Sequence, residues 1–561
     1  MPKLSFSGNP FARLFNQEKS NAKLAVSLFA VGLIVFLLVA LLFSFKNSIL
    51  ERLFPKQKTQ AAACTNHIEV PSNRGGFIFT GGDLEQAIAT LGTSLYSTND
   101  LNLGPKKSVF TIGKYTQNLG DPLGLRLLME NNLSNADFKG LPGQVPVGWT
   151  IADSAGSVFI DVEEVSKSTS SKGTSIKLTN NKDQSGTQIS QAYKAPVKEG
   201  QFIIFGVWIK APTSADAKVV IQNSQAPFNE FGAADLSNVK PNKWSYVMGY
   251  GKVPAGVSGF QLALTNIGKG SVVWYESASV VLLGDEQGQG LSDLVLSRCG
   301  AVWMVDDGMG FEQTYSEPFM NPVSLDIYAL LYHQFYIKIK SIDPSAKVLP
   351  GGIMGSPVVF DAKNGYSPKR TLDTFRASYK TFFEVEPPID ILAVRYLATD
   401  QKQWSGSKDL ENYLTNVRNY MDAVIGWKGV PIWISRLGVS KNAPNEGVDF
   451  AQAAMKYLTS NKLNVEKWFW TDTCGANPQL VGLFESNNKI CYWPMKLNAL
   501  GQAYLVANIT PTPTTTATVA PTLTATSSAN ATSSATPSPT SVVKTSTSSA
   551  TIESTTSGGT Q

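Results

Sequence analysis

An unbroken apolar run near the start of the chain restricts its fold most. Leu24 to Phe45 reads LAVSLFAVGLIVFLLVALLFSF, 22 residues without a charge, bracketed by Lys23 and Lys46. At ~1.5 Å rise per residue, a helix of this length matches a hydrocarbon core of about 30 Å. In lipid its backbone N–H and C=O groups must bond within the segment, which a helix achieves. A cleaved secretion signal has an apolar region of about 7–15 residues with a small-residue cleavage site close behind. Here the run is longer, and Ala61, Ala62 and Ala63 lie well beyond it. The expectation is an uncleaved single-pass membrane anchor at 24–45, after a basic segment at 1–23 and before a juxtamembrane linker at 46–65. Each flank carries four basic residues, so charge does not orient the helix. The Ser/Thr/Pro tail and the paired late cysteines suit an extracytoplasmic side. They place the N-terminus in the cytoplasm and the bulk of the chain outside, at the cell membrane.

The net charge is +5 over 561 residues. Residues 1–58 alone contribute +6, which leaves the main body near neutral. Nucleic-acid binding needs a clustered positive field on the folded part, so that class is excluded. Two histidines and four cysteines are too few for a multi-metal centre or a cysteine-rich scaffold. Residues 509–561 contain no aromatic side chain, and Lys544 and Glu553 are their only charges. Such a segment cannot bury enough apolar surface to offset its ordering entropy, and reads as a disordered Ser/Thr/Pro stalk.

Between about 132 and 284 the pattern is short alternating runs separated by turn residues. They include Ser175 to Leu178, Phe202 to Ile209, Val219 to Ile221, Phe260 to Leu264 and Val272 to Val281. Many short strands at regular spacing suggest an all-β sandwich or jelly roll. The segments NLSNADFKG (132–140), PVGW (146–149), GTSIKL (173–178), ISQAY (189–193), FGVWIKA (205–211), KWSYV (243–247) and VVWYESASVV (272–281) resemble, in that order, carbohydrate-binding modules of the jelly-roll type. The resemblance implies sugar binding and a structural calcium held by acids on the first and last strands. Lys139 stands where an acid often follows the first-strand Phe, and Glu276 keeps an acid on the last strand. Sugar binding would use exposed aromatic faces with polar neighbours. Tyr193, Trp244 and Tyr246 are the candidates; Trp149 and Trp208 read as core.

From Ala301 to Ala507, strand and helix signals alternate. Strands are expected at 301–305, 347–350, 389–397, 431–437 and 465–470, and helices at 325–342, 372–383, 410–425, 450–459 and 495–506. That alternation implies a parallel α/β sheet, open or closed into a barrel. The stretch 296–508 resembles the second half of a (β/α)8-barrel glycoside hydrolase of the superfamily that places two catalytic glutamates at strand ends. YIKIKSIDPSAKVLPGG (336–352), PPIDILAVRY (387–396) and PIWISRLGVS (431–440) carry the likeness, with AVWMVDD (301–307) in place of the fourth strand. The acid/base glutamate expected there falls on Gly308. The nucleophile position is Arg436, and the sixth strand carries Arg395-Tyr396 where the family usually has histidine and tyrosine. Retaining hydrolysis needs two carboxyl groups roughly 5 Å apart, and a guanidinium stays cationic at any working pH. Asp306, Asp307 and Asp472 are the only candidates for a relocated pair. Arg395, Tyr396, Trp404, Arg436 and Trp470 are the candidates for ligand contact, and the alternative for Arg395 and Arg436 is a structural ion cluster in which they neutralise Asp306, Asp307 and Asp472. The first three strands would have to come from 66–131, through GGFIFTGG, DLEQAIATLGTSLY and SVFTIGKY. Either the sandwich interrupts the barrel before its fourth strand or the barrel is incomplete.

Cys474 and Cys491 are close enough in sequence to staple one loop, worth about 3 kcal/mol if bridged; for Cys64 and Cys299 a bridge closing 66–131 and the sandwich into one loop is one option, free thiols the other. His333, on an amphipathic helix, reads as structural. The expected function is a membrane-anchored cell-surface protein that binds or organises carbohydrate through a hydrolase-like domain lacking its glutamate pair. The alternatives are an active glycoside hydrolase with relocated carboxylates, and a structural envelope protein without sugar binding.

Overall fold

The structure is a computed structural model that describes residues 70–509 with breaks, chiefly at 99–107, 112–132, 310–324, 472–479 and 486–495. The apolar run 24–45 and the tail 510–561 lie outside the described residues. Among the described residues no helix is long and apolar enough to cross a membrane.

Eight parallel strands close into a barrel. They are β1 (Gly75–Ile78), β2 (Tyr96–Thr98), β3 (Ser108–Thr111), β14 (Val302–Gly308), β15 (Lys347–Met354), β16 (Leu392–Ala398), β17 (Ile432–Val439) and β18 (Val465–Trp470). Strand β18 pairs back onto β1. The barrel is therefore complete, and strands β4–β13 interrupt it between its third and fourth strands. Helix α1 (Leu84–Leu91) follows β1, and α2 (Gln289–Leu296) leads into β14. Helices α3 (Leu325–Ile342), α4 (Pro368–Phe383), α5 (Lys408–Ala423), α6 (Val448–Thr459) and α7 (Ala499–Ile509) follow the last five strands in turn.

Local chemistry sets these elements. Ser367 caps α4 by accepting the Arg370 N–H, Pro368 opens the first turn, and Glu384 ends the helix in a left-handed conformation. Leu372, Phe375, Tyr379 and Phe383 then form one buried stripe at helical spacing. In the strands, alternate residues divide between two cores. Leu95, Val302, Met304, Leu349, Ala393, Trp433 and Phe469 fill the barrel interior. Trp303, Val348, Val394, Tyr396, Ile434, Trp468 and Trp470 face outward into the layer shared with the helices. The N-terminal end is closed by residues 70–74. Arg74 donates to the carbonyls of Thr459, Val465 and Glu466 and lies over the Trp468 ring. Lys467 donates to the carbonyls of Pro71 and Asn73, and burial lowers its pKa to about 8.

The inserted module comprises β4 (Thr150–Ser154), β5 (Gly156–Asp161), β6 (Ser175–Asn180), β7 (Thr187–Ala192), β8 (Phe202–Lys210), β9 (Ala217–Asn223), β10 (Glu230–Ala234), β11 (Ser245–Lys252), β12 (Phe260–Asn266) and β13 (Val272–Leu282). They form one antiparallel sheet in the order β4-β7-β12-β9-β10-β11-β8-β13-β6-β5. It folds over so that β7, β9 and β12 face β6, β8 and β13 across a common core, which includes Ile189, Ile221, Leu262, Ile176, Val207 and Tyr275. The outer side of β8, β11 and β13 packs on the barrel helices. Ile204, Trp208, Tyr246 and Val281 belong to the same apolar cluster as α3 and α4. Phe202 and Tyr250 meet Phe382 edge-on at 5.3 Å each.

Cys299 is disulfide-bonded, and among the described residues no cysteine is free. Its partner and the predicted Cys474–Cys491 pair lie outside the described residues.

The His333 ring stacks on Phe383 with centroids 3.5 Å apart, and its Nδ1 is hydrogen-bonded to the Tyr379 hydroxyl at 2.7 Å. Burial pushes its pKa down from 6.5 to about 3. Between those values the unfolded chain binds the extra proton, so stability falls as pH drops below about 6.5. We expect a loss of up to ~1.4 kcal/mol per pH unit, measured by chemical denaturation at pH 7 and pH 5. His333→Phe should flatten that slope.

Candidate functional site

The C-terminal ends of β16 and β17 bring two of the predicted barrel residues, Arg395 and Arg436, to one mouth, the end of such a barrel where function is built. On β16, Ala393 faces the interior and Val394 and Tyr396 face the helices. Arg395 therefore turns inward, and it is 9% exposed. On β17, Ile434 and Leu437 both face the helices although they are three residues apart. The two residues between them, Ser435 and Arg436, share the interior side. This is a β-bulge, and its register shift aligns Arg436 with Arg395. The Ser435 hydroxyl donates to the Val394 carbonyl at 3.2 Å and occupies the extra position. Arg436 is half-buried.

Beside them β15 contributes Gly351 and Gly352. A Cβ on Gly352 would lie 2.6 Å from Arg395 Cγ and against Ser435 Oγ. The arginine stem thus lies on a floor that only glycine permits. Gly352 pairs with Gly308, so the expected acid/base position carries no side chain. Asp306 and Asp307 lie on β14 between Val305 and Gly308, where the register with β15 shifts. Their side chains, and the whole of Asp472, lie outside the described residues.

Several aromatic candidates are placed elsewhere, and strand parity is the reason. Tyr396 is buried on the outer side, stacked on Phe450 with centroids 6.1 Å apart. Trp470 is also buried, edge-on to Tyr504, and its indole N–H points to the Val481 carbonyl at 3.4 Å. Trp404 is half-buried in the turn after β16, and its indole donates to the Ala398 carbonyl at 3.2 Å. In the sandwich, Tyr193 is buried and stacked on Phe260. Tyr246 is buried at the docking face against the barrel, with its hydroxyl near Ser279. Neither tyrosine offers a free ring face. Glu276 is buried and accepts the Ser166 N–H. Lys139 is exposed and pairs with Asp137 at 3.6 Å. Among the described residues there is no group of three acidic, His or Cys side chains that could hold a metal ion.

Trp244 belongs to a ladder that was not read from the sequence. Phe159, Lys177, Trp274 and Lys210 are cross-strand neighbours on β5, β6, β13 and β8. Lys177 lies over Phe159 and Trp274, and Lys210 over Trp274, at 5.4–5.6 Å. Glu164 binds Lys210 at 2.7 Å and accepts the Trp244 indole N–H at 3.2 Å. Asp161, although desolvated, is held below its ordinary pKa by the Glu163 N–H and the Trp274 indole. The ladder satisfies its own charges. A second missed feature is the outward side of β7, β9 and β12. Gln222 pairs with Gln261 and Gln188 with Thr265, on the side opposite core residues Ile221, Leu262, Leu264 and Ile189. Phe228, 54% exposed, stands in the adjoining β9–β10 turn. The alternation in FQLALTN was the available signal for this polar row.

No protein-family model matches the chain, and no curated protein matches it. Solved structures similar to it include a GH128 (subgroup II) endo-β-1,3-glucanase from Sorangium cellulosum, at 16% identity over 40% of this chain and 77% of that one, with a TM-score of 0.28. The CBM22-1–GH10 modules of Clostridium thermocellum endo-1,4-β-D-xylanase 10B align at 12% identity over 69% and 97%, with a TM-score of 0.22. The CBM22-1 xylan-binding domain of Paenibacillus barcinonensis Xyn10C aligns at 15% identity over 26% and 90%, with a TM-score of 0.21. At these identities and scores the likeness says nothing about substrate.

Two substitutions separate core from mouth. Trp470→Ala should cost ~3–5 kcal/mol in denaturant unfolding, against under about 2 kcal/mol for the half-buried Trp404→Ala. Gly352→Ala should cost ~1–3 kcal/mol through the clash with Arg395.

Proposed function

We propose that this chain is a cell-surface glycan-binding protein, held by the 24–45 helix with its folded part outside. In this reading the barrel has given up hydrolysis and kept a pocket. The supporting observation is the in-register pair Arg395 and Arg436 at the barrel mouth, with Arg436 at the position that the family resemblance assigns to a nucleophile. Glycoside hydrolysis passes through an oxocarbenium-like centre served by two carboxyl groups. A permanently cationic guanidinium cannot attack that centre and repels it.

The test is binding and turnover on a broad panel of oligosaccharides by the full chain in mild detergent. We expect saturable binding without release of reducing ends, and a loss of ~10-fold or more with Arg436→Ala. Reducing ends that disappear with Asp306→Asn or Asp307→Asn would instead establish a hydrolase with relocated carboxylates. Absence of binding across the panel would favour a structural envelope role.

A further inference from the structure

We infer that the N-terminal end of the barrel rests on an anionic bilayer surface, with Ile425 in the headgroup layer and the mouth pointing away. This rests on the membrane-anchor part of the proposed function and is independent of its glycan part. Ile425 is 84% exposed, the most exposed of the large apolar side chains among the described residues. Two tight turns in the α5–β17 loop hold it there. The Trp427 N–H donates to the Val424 carbonyl, and the Val430 N–H to the Trp427 carbonyl. The third position of each turn is a glycine with positive φ, Gly426 and Gly429. Ile425 and Lys428 are the other central residues and stand at the two tips. Trp427 between them is buried, and its indole donates to the Pro387 carbonyl at 2.9 Å. The α6–β18 loop, which carries the exposed Lys462, is tied on. Arg418 donates to the Leu463 and Val430 carbonyls, and Asn464 to the Gly429 carbonyl. Tips fixed in this way lose little freedom on docking. Leu296, 38% exposed, ends α2 at the same end of the barrel.

The charge at this end suits lipid phosphates. Lys347 is exposed at the start of β15, beside the exposed Lys428 and Lys462, and Glu384 is the exposed acid that offsets one of them. Glu386, Asp390 and Asp422 are engaged by Arg376, Lys340 and Arg418. Location favours a bilayer over a soluble partner. The chain enters the barrel at this end, through residues 70–74. The 24 residues 46–69 separate that entry from the apolar run 24–45. A tether of that length reaches at most about 90 Å. It keeps this face over the bilayer at about millimolar effective concentration, where a weak apolar and electrostatic contact is populated.

The experiment puts the photo-crosslinker p-benzoylphenylalanine at single positions of the full chain, reconstituted in phosphatidylcholine vesicles with or without phosphatidylglycerol. Chain–lipid adducts are then measured by mass spectrometry. With the crosslinker in place of Ile425, adducts should form when phosphatidylglycerol is present and fall ~5-fold or more without it. Lys428→Glu together with Lys462→Glu should lower them as much. The lipid dependence is read on a single exposed position, so it keeps the test valid if the lysine variant misfolds. Lys402, exposed in the turn after β16 at the mouth, is the control position away from the bilayer. Phe36, inside the apolar run, is the control for the anchor. Adducts at position 36 but none at 425 overturn this inference and leave the anchor standing. Equal adducts at 425 and 402 overturn it, because no face is then selected. A link from 425 to a second chain overturns it by making this end an interface between copies. Absence of adducts at 36 overturns the anchor and this inference together.

Discussion

A parallel sheet of eight strands loses its edges only when the first strand finds the last. Here that contact is short. Gly75, Gly76 and Phe77 pair with Trp468, Phe469 and Trp470. Gly76 has no side chain because a Cβ there would lie 2.6 Å from the Leu95 carbonyl oxygen. The seam is reinforced from three directions. Arg74 and Lys467 cross it at the N-terminal end, Phe77 and Trp468 bury into the helix layer, and Tyr504 on the last helix donates to the Gly76 carbonyl. Inward and outward parity all round the barrel follows from this closure, and so does the set of side chains that reach the mouth.

The inserted sandwich is accommodated because it has two apolar surfaces. One is its own interior, and the other is the outer side of β8, β11 and β13, which shares a continuous core with α3 and α4. Burying aromatic area on both sides of one sheet is strongly favourable. It makes module and barrel a single packed body. The polar row lies on β7, β9 and β12, away from that docking area, whereas Trp244 of the charge-balanced ladder packs at its edge.

Much of this fold was legible. The apolar periodicity of 325–342 coincides with α3, and the weak early signals GGFIF, DLEQAIATL and SVFT are β1, α1 and β3. What could not be read was where closure would come from, since a strand of three or four residues carries little pattern. The site was less legible, because a strand residue changes face with each single step of register. Arg395 and Tyr396 are neighbours in sequence and lie on opposite sides of the barrel wall. Phe469 and Trp470 divide in the same way. The bulge that aligns Arg436 leaves no trace in ISRLG, because an added residue looks like any other until its partner strand is known.

The bond from Tyr504 to Gly76 also bears on synthesis. The ribosome releases β1 first, but the partner of that strand's free edge, β18, emerges almost 400 residues later, and Tyr504 follows 428 residues after Gly76. Throughout that interval β1 offers unpaired backbone groups that invite pairing with other chains. The sandwich, which has its own core and ends with β13, is complete long before. A chain made in this order holds a finished module on an open barrel, and the barrel closes only when its last turns leave the ribosome.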